Sequence, residues 1–186
     1  MNREVKRVLQ FFNNEIKDYV IGDLDRLSAI RPDKKTGLRG CSIPQAMLIF
    51  AILDLFGYLV NEDPNVSKKA TLKNYKVIFS AKLGLFPAHY EKEAKKNVEL
   101  FRHGVMHQFF AKASGVAKLT QDMPLIHLID GTPYLNVDRL TEDTINAIRQ
   151  LRKRIENGCC DYLAKQINKH LDKLAEDDFK ELDRHF

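Results

Sequence analysis

The chain is poor in cysteine, and the three it has, Cys41, Cys159 and Cys160, form no C-x-x-C pair. An odd count with two adjacent members excludes a disulfide scaffold and offers no zinc framework, which points to reduced, intracellular chemistry. Long apolar runs are also missing. The most apolar stretch, residues 46–60, carries Asp54 in its middle and falls short of the roughly 20 residues of a spanning helix, so it reads as a core or interface helix. The first residues, "MNREVKRVLQFFNNEI", mix charge with apolar residues at helical spacing, unlike a secretory signal. No internal repeat and no low-complexity segment is present. These absences leave one soluble, cytoplasmic domain over 1–186 with no membrane contact as the expectation, since 186 residues suffice for a real core.

Charge is unevenly spread. Between Asn65 and Lys118 stand eleven Lys or Arg against three Glu, a net of +8, which leaves −3 for the rest of a chain whose total is +5. A basic middle region suits a polyanion such as nucleic acid, and equally a solvated lysine face.

Apolar periodicity predicts a helix over 2–30 (Val5, Val8, Leu9, Phe12, Ile16, Tyr19, Val20, Leu24, Leu27) that Gly22 interrupts. Ser42 is placed to cap a second helix reaching about Val60, with Pro44 in its first turn. A third is expected from Ser67 to Lys82, stopped by Gly84, and a fourth from Pro87 to Phe110. The pieces "GVAKLT", "PLIHLI" and "YLNV", the last two separated by the turn sequence "DGTP", lean to β structure and make 113–138 a hairpin or three-stranded insert. One long helix from Thr141 then carries Ile145, Ile148, Leu151, Ile155, Tyr162, Leu163 and Ile167, followed by an acidic tail over 176–186. The fold class is all-α: a bundle of about five to six helices with a small β insert before the long C-terminal helix.

One stretch, "FRHGVMHQFF" (101–110), sets an arginine and two histidines in an apolar helix. At about 100° per residue, Phe101, Val105 and Phe109 share a core-facing stripe with Val98, and Arg102 lies at its edge. His103, Met106, His107 and Phe110 sweep round to a second, mixed face, and apolar residues on such a face point to a partner surface. Gly104 costs about 1 kcal/mol relative to alanine inside a helix, which is tolerated where a backbone or ligand comes close, or where the helix kinks. His103 and His107, at i and i+4, could chelate a metal, but Gly104 stands where H-E-x-x-H needs glutamate. No serine or cysteine sits in a nucleophile elbow. Metal-free phosphodiester cleavage needs instead a base for the 2′-hydroxyl, an acid for the 5′-oxygen and positive charge for the phosphorane. Histidine serves the first two tasks and arginine the third.

Arg102-x-x-x-x-His107, with His103 directly after the arginine, resembles the arginine–histidine motif of HEPN domains. These are helical bundles, many of them metal-independent endoribonucleases that work as dimers with a motif from each protomer in one cleft. The resemblance covers roughly 1–112 and the long helix after 141. It implies Arg102 and His107 as the catalytic pair, His103 as an assisting group, RNA as substrate, no cofactor, a homodimer, and an antitoxin or nucleotidyltransferase-like partner in a toxin–antitoxin or defence setting. A non-catalytic module binding a nucleotide, RNA or protein is the alternative. Around the motif, Asp54 could hold Arg102 or a histidine, or bond to backbone elsewhere, because an unpaired carboxylate in an apolar helix is expensive. Lys112 could touch phosphate or simply be solvated. Glu99 could pair along the helix surface. His127 reads as an outward-facing strand residue, and His89, His170 and His185 are assigned no role.

Overall fold

A computed structural model describes residues 2–33, 35, 40–63, 65–96, 101–103, 105, 115–120 and 122–182, with the backbone alone for Lys95 and residues 177–182. The first helix is one continuous rod of three stretches: α1 (Arg3–Phe11), a π-helical segment (Phe12–Ile21) and α2 (Gly22–Ala29). Asn2 caps it, its Oδ1 accepting from the Glu4 amide at 3.2 Å. Gly22 takes ordinary helical angles (φ −59°, ψ −41°) and does not interrupt the rod. Val5, Val8, Leu9, Phe12, Ile16 and Leu24 are buried as their spacing predicts, whereas Tyr19 is 68% exposed. The wider π turn advances each residue by less than the α-helical angle, so Tyr19 leaves the stripe that Phe12 and Ile16 share.

The central helix, α3 (Ser42–Leu59), is buried on most sides through Ala46, Ile49, Phe50, Leu53, Phe56 and Leu59. Its N-cap is Cys41, without a side-chain bond, and Ser42 is a buried first helical residue rather than the cap. By length and composition α3 could cross a membrane, but 56% of it is buried against the rest of the protein. Next, α4 (Thr71–Ile78) is shorter than its apolar pattern, because residues 67–70 form a turn before it and Gly84, at φ +55°, closes another after it. α5 (His89–Lys96) follows, and the backbone is helical again at Phe101, Arg102, His103 and Val105.

The β-leaning insert is a three-stranded sheet of β1 (Gly115–Ala117), β2 (Ile126–Ile129) and β3 (Thr132–Asn136) in the order β1-β3-β2. β2 and β3 form an antiparallel hairpin around Asp130 and Gly131, both at positive φ (51° and 76°), the conformation that two-residue hairpin turns need. β1 pairs with β3 in parallel, over Tyr134–Asn136 only, so Pro133 faces β2 alone and its missing amide costs no ladder bond. Lys118, just past β1, fastens the sheet to the bundle. Its Nζ donates to the carbonyls of Leu27, Ser28 and Ile30, at and just past the end of α2.

Asn136 ends β3 and caps α6 (Val137–Glu156), accepting from the Arg139 amide at 3.3 Å. The expected single C-terminal helix is two: Gly158, at φ +69°, breaks it, and α7 (Asp161–Leu182) runs back along the bundle. Residues 176–182 of the acidic tail continue α7. The break also turns Tyr162 outward, to 48% exposure, while Leu163 and Ile167 stay buried.

His170, without an assigned role in the sequence, is fully buried between α3 and α7. Its ring lies 4.3 Å from Tyr58, and its Nε2 is 3.0 Å from the Asn61 carbonyl. Its Nδ1 is buried with no hydrogen-bond partner among the described residues. Burial pushes its pKa below the usual value, against the bond to Asn61, with Lys173 and Lys169 adding to the drop. The native state therefore binds fewer protons there than the unfolded chain, and stability is lost as pH falls below about 6.5. Urea midpoints of wild type and His170→Gln between pH 8 and pH 5 should diverge, the wild type weakening more steeply; parallel curves would contradict the assignment.

Candidate functional site

Asp54 and Arg102 meet where α3, α4 and the helix bearing 101–105 converge. Phe101 and Val105 anchor that last helix, both at 0% exposure, as their shared stripe predicts. Arg102, at the edge of the stripe, is thereby aimed along the side of α3. Its Nη2 donates to Asp54 Oδ2 at 2.8 Å and its Nε to the same oxygen at 3.3 Å. Both side chains are largely out of water, at 13% and 16% exposure. Asp54 Oδ1 is buried and accepts no hydrogen bond among the described residues.

The electrostatics follow from that burial. Desolvation raises the Asp54 pKa above the usual carboxylate value, and it outweighs Arg102, then His103 and Thr71, which act the other way. Thr71 is the first residue of α4, so the carboxylate stands beside a helix N-terminus, which favours negative charge. Tyr75, one turn along α4, is fully buried and donates to the Phe50 carbonyl at 3.0 Å. Burial, and then the Asp54 charge, hold its pKa well above the ordinary value, so it remains a neutral donor.

α4 can lie this close because of Gly57, three residues after Asp54. A Cβ there would stand 2.4 Å from the Asn74 carbonyl oxygen, nearer than any real contact. Gly57 is buried, and Asn74 opposite it is fully so. A glycine in an otherwise leucine-rich helix carries a propensity cost of about 1 kcal/mol and so signals close packing.

Of the sequence-derived candidates, the structure brings Asp54, Arg102 and His103 together. His107 and Lys112 lie outside the described residues, as do Glu99, Gly104, Met106 and Phe110. His127 is partly buried on β2 opposite Tyr134, and His89 is exposed at the start of α5. Thr71, Tyr75 and Gly57 escaped the sequence reading; only Gly57 carried a signal, its place inside an apolar helix. Among the described residues no group of three or more His, Cys, Asp or Glu is placed to hold a metal ion. None of the known families, curated proteins or solved structures compared with the chain matches it.

Gly57→Ala should destabilise the fold by about 1–3 kcal/mol, the usual cost of overpacking, as read by urea unfolding. Removing one partner of a buried ion pair costs about 3–5 kcal/mol, whereas replacing both with apolar groups is often near neutral. Asp54→Leu or Arg102→Met alone should therefore destabilise more than the two together, and additive losses in the double-mutant cycle would contradict the pairing.

Proposed function

We propose that the chain is a HEPN-like, metal-independent endoribonuclease that works as a homodimer. The observation that carries the reading is the pairing of Arg102 with Asp54, beside His103, on the wall of an apolar central helix. A guanidinium held at a fixed angle by a buried carboxylate is preorganised for a phosphate group, and catalysis of phosphodiester cleavage rests on such preorganisation. The chemistry is transesterification. A base removes the 2′-hydroxyl proton, the 2′-oxygen attacks the adjacent phosphorus, and an acid protonates the departing 5′-oxygen, leaving a 2′,3′-cyclic phosphate. In this assignment His107 is the general acid or base and Arg102 neutralises the charge that builds on phosphorus. His103 orients them, Asp54 positions Arg102, and Lys112 contacts the RNA backbone. In an ideal α-helix the spacing from Arg102 to His107 corresponds to about 140°, so in this reading a second chain packed on the mixed face completes the cleft.

The depth of the ion pair favours a second reading. An arginine only 13% exposed and bound to Asp54 also suits a non-catalytic module in which Arg102 fixes the helix and the surface binds RNA, a nucleotide or a protein.

Incubation of labelled RNA with wild type, Arg102→Ala and His107→Ala, with and without EDTA, separates the two. The nuclease reading expects cleavage that EDTA leaves intact and that falls at least 100-fold in His107→Ala, with a 2′,3′-cyclic phosphate product. Circular dichroism checks that each variant is folded. RNA binding without product supports the module, and cleavage abolished by EDTA contradicts both.

A further inference from the structure

A groove of about 620 Å³ lies between the π-helical segment, the start of α2 and α6. Half of its lining comes from the π-helical segment, where steps of four and five residues bring Phe12, Ile16, Lys17 and Ile21 to one side. π-Helical turns are uncommon and recur at functional sites. The floor is apolar, made by Phe12, Ile16, Ile21 and Ile148. The rim is charged: Lys17, Arg149 and Arg152, with Arg26 paired to Asp23 at 2.8 Å, alongside Asp18 and Asp25.

Two further observations point to a ligand. Arg152 has its Nε buried without a hydrogen-bond partner among the described residues, and its Nη2 lies 3.7 Å from Glu156. An arginine so poorly satisfied at the wall of a groove is short of an acceptor. Gly22, in the same lining, has ordinary helical angles, and a Cβ built on it would meet only the Lys17 carbonyl oxygen, at 3.8 Å. The helix would be better served by alanine, so packing gives no reason for the glycine. Keeping the groove open does.

We propose that this groove binds a small phosphomonoester, its phosphate on Arg149 and Arg152 and its body on the Ile16, Ile21 and Ile148 floor. Arg149 and Arg152, three residues apart on α6, share a helix face, and guanidinium forks match phosphate oxygens. The volume is that of a small-molecule site, about 300–1,000 Å³. A nucleic-acid backbone fits less well, because Asp18 and Asp25 would repel a continuous track of phosphates. The site is separate from Arg102 and does not rest on the nuclease reading.

Isothermal titration calorimetry of the full chain tests it. The probes are glucose 6-phosphate, phenyl phosphate and adenosine 5′-monophosphate, each against its unphosphorylated parent and inorganic phosphate. At least one phosphomonoester should bind tenfold or more tighter than both its parent and inorganic phosphate. Arg149→Ala/Arg152→Ala should weaken that binding at least tenfold, Gly22→Leu should block it by filling the groove, and Arg102→Ala should leave it unchanged. Circular dichroism reports whether Gly22→Leu is folded; the Arg149→Ala/Arg152→Ala variant carries the test if it is not. The proposal is overturned if no phosphomonoester exceeds inorganic phosphate by that margin, if the arginine variant binds like wild type, or if an oligoribonucleotide binds more tightly at Arg149 and Arg152 than every phosphomonoester.

Discussion

The ion pair of Asp54 with Arg102 ties the central helix α3 to the helical residues around Arg102, beside the start of α4. A carboxylate in the most apolar helix of the chain is costly unless it meets a charge, and Arg102 supplies one at 2.8 Å. Burial raises the Asp54 pKa even against Arg102, as expected of a pair that fixes an arrangement rather than adding net stability. Arg102 cannot leave without stranding a buried carboxylate. That fixes the rotation of the helix bearing 101–105, which in turn carries His103 to the same side. Gly57 on α3 and Tyr75 on α4 serve the same geometry, one by letting the backbones approach and the other by bonding to the Phe50 carbonyl.

Most of the helical architecture was legible because it rests on apolar spacing, which local sequence carries directly. The hairpin was legible too, through the Asp130-Gly131 turn. What failed depended on backbone geometry that composition does not encode. Tyr19 was assigned to the core on a step of 100° per residue, and the π-helical segment takes a smaller one. Gly158 was passed over inside an otherwise periodic run, although only its positive φ permits the reversal into α7. Ser42 missed being the cap by one residue, within the ordinary uncertainty of helix ends.

At the site, Asp54 stood out because a lone acid in an apolar helix demands a partner, and Arg102 was among the partners named. Thr71 and Tyr75 could not be found this way, since a threonine and a tyrosine in an amphipathic helix have many ordinary uses. Charge summed over segments was a poor guide to local fields. The groove formed by Lys17, Arg26, Arg149 and Arg152 comes from the part of the chain whose total is negative, and only folding brings α2 and α6 side by side. His170 was assigned no role, although its spacing from Leu163 and Ile167 puts it on their buried stripe, against Tyr58 and the Asn61 carbonyl.

The architecture around Arg102 depends on Asp54 being a buried carboxylate that Arg102 holds. Carbon-13 NMR of the Asp54 side-chain carboxyl, followed through a pH titration in wild type and in Arg102→Met, measures this directly. Asp54 should titrate above the ordinary carboxylate range in wild type and rise further when the guanidinium is removed. A wild-type value at or below that range, or one that Arg102→Met does not move, would contradict it.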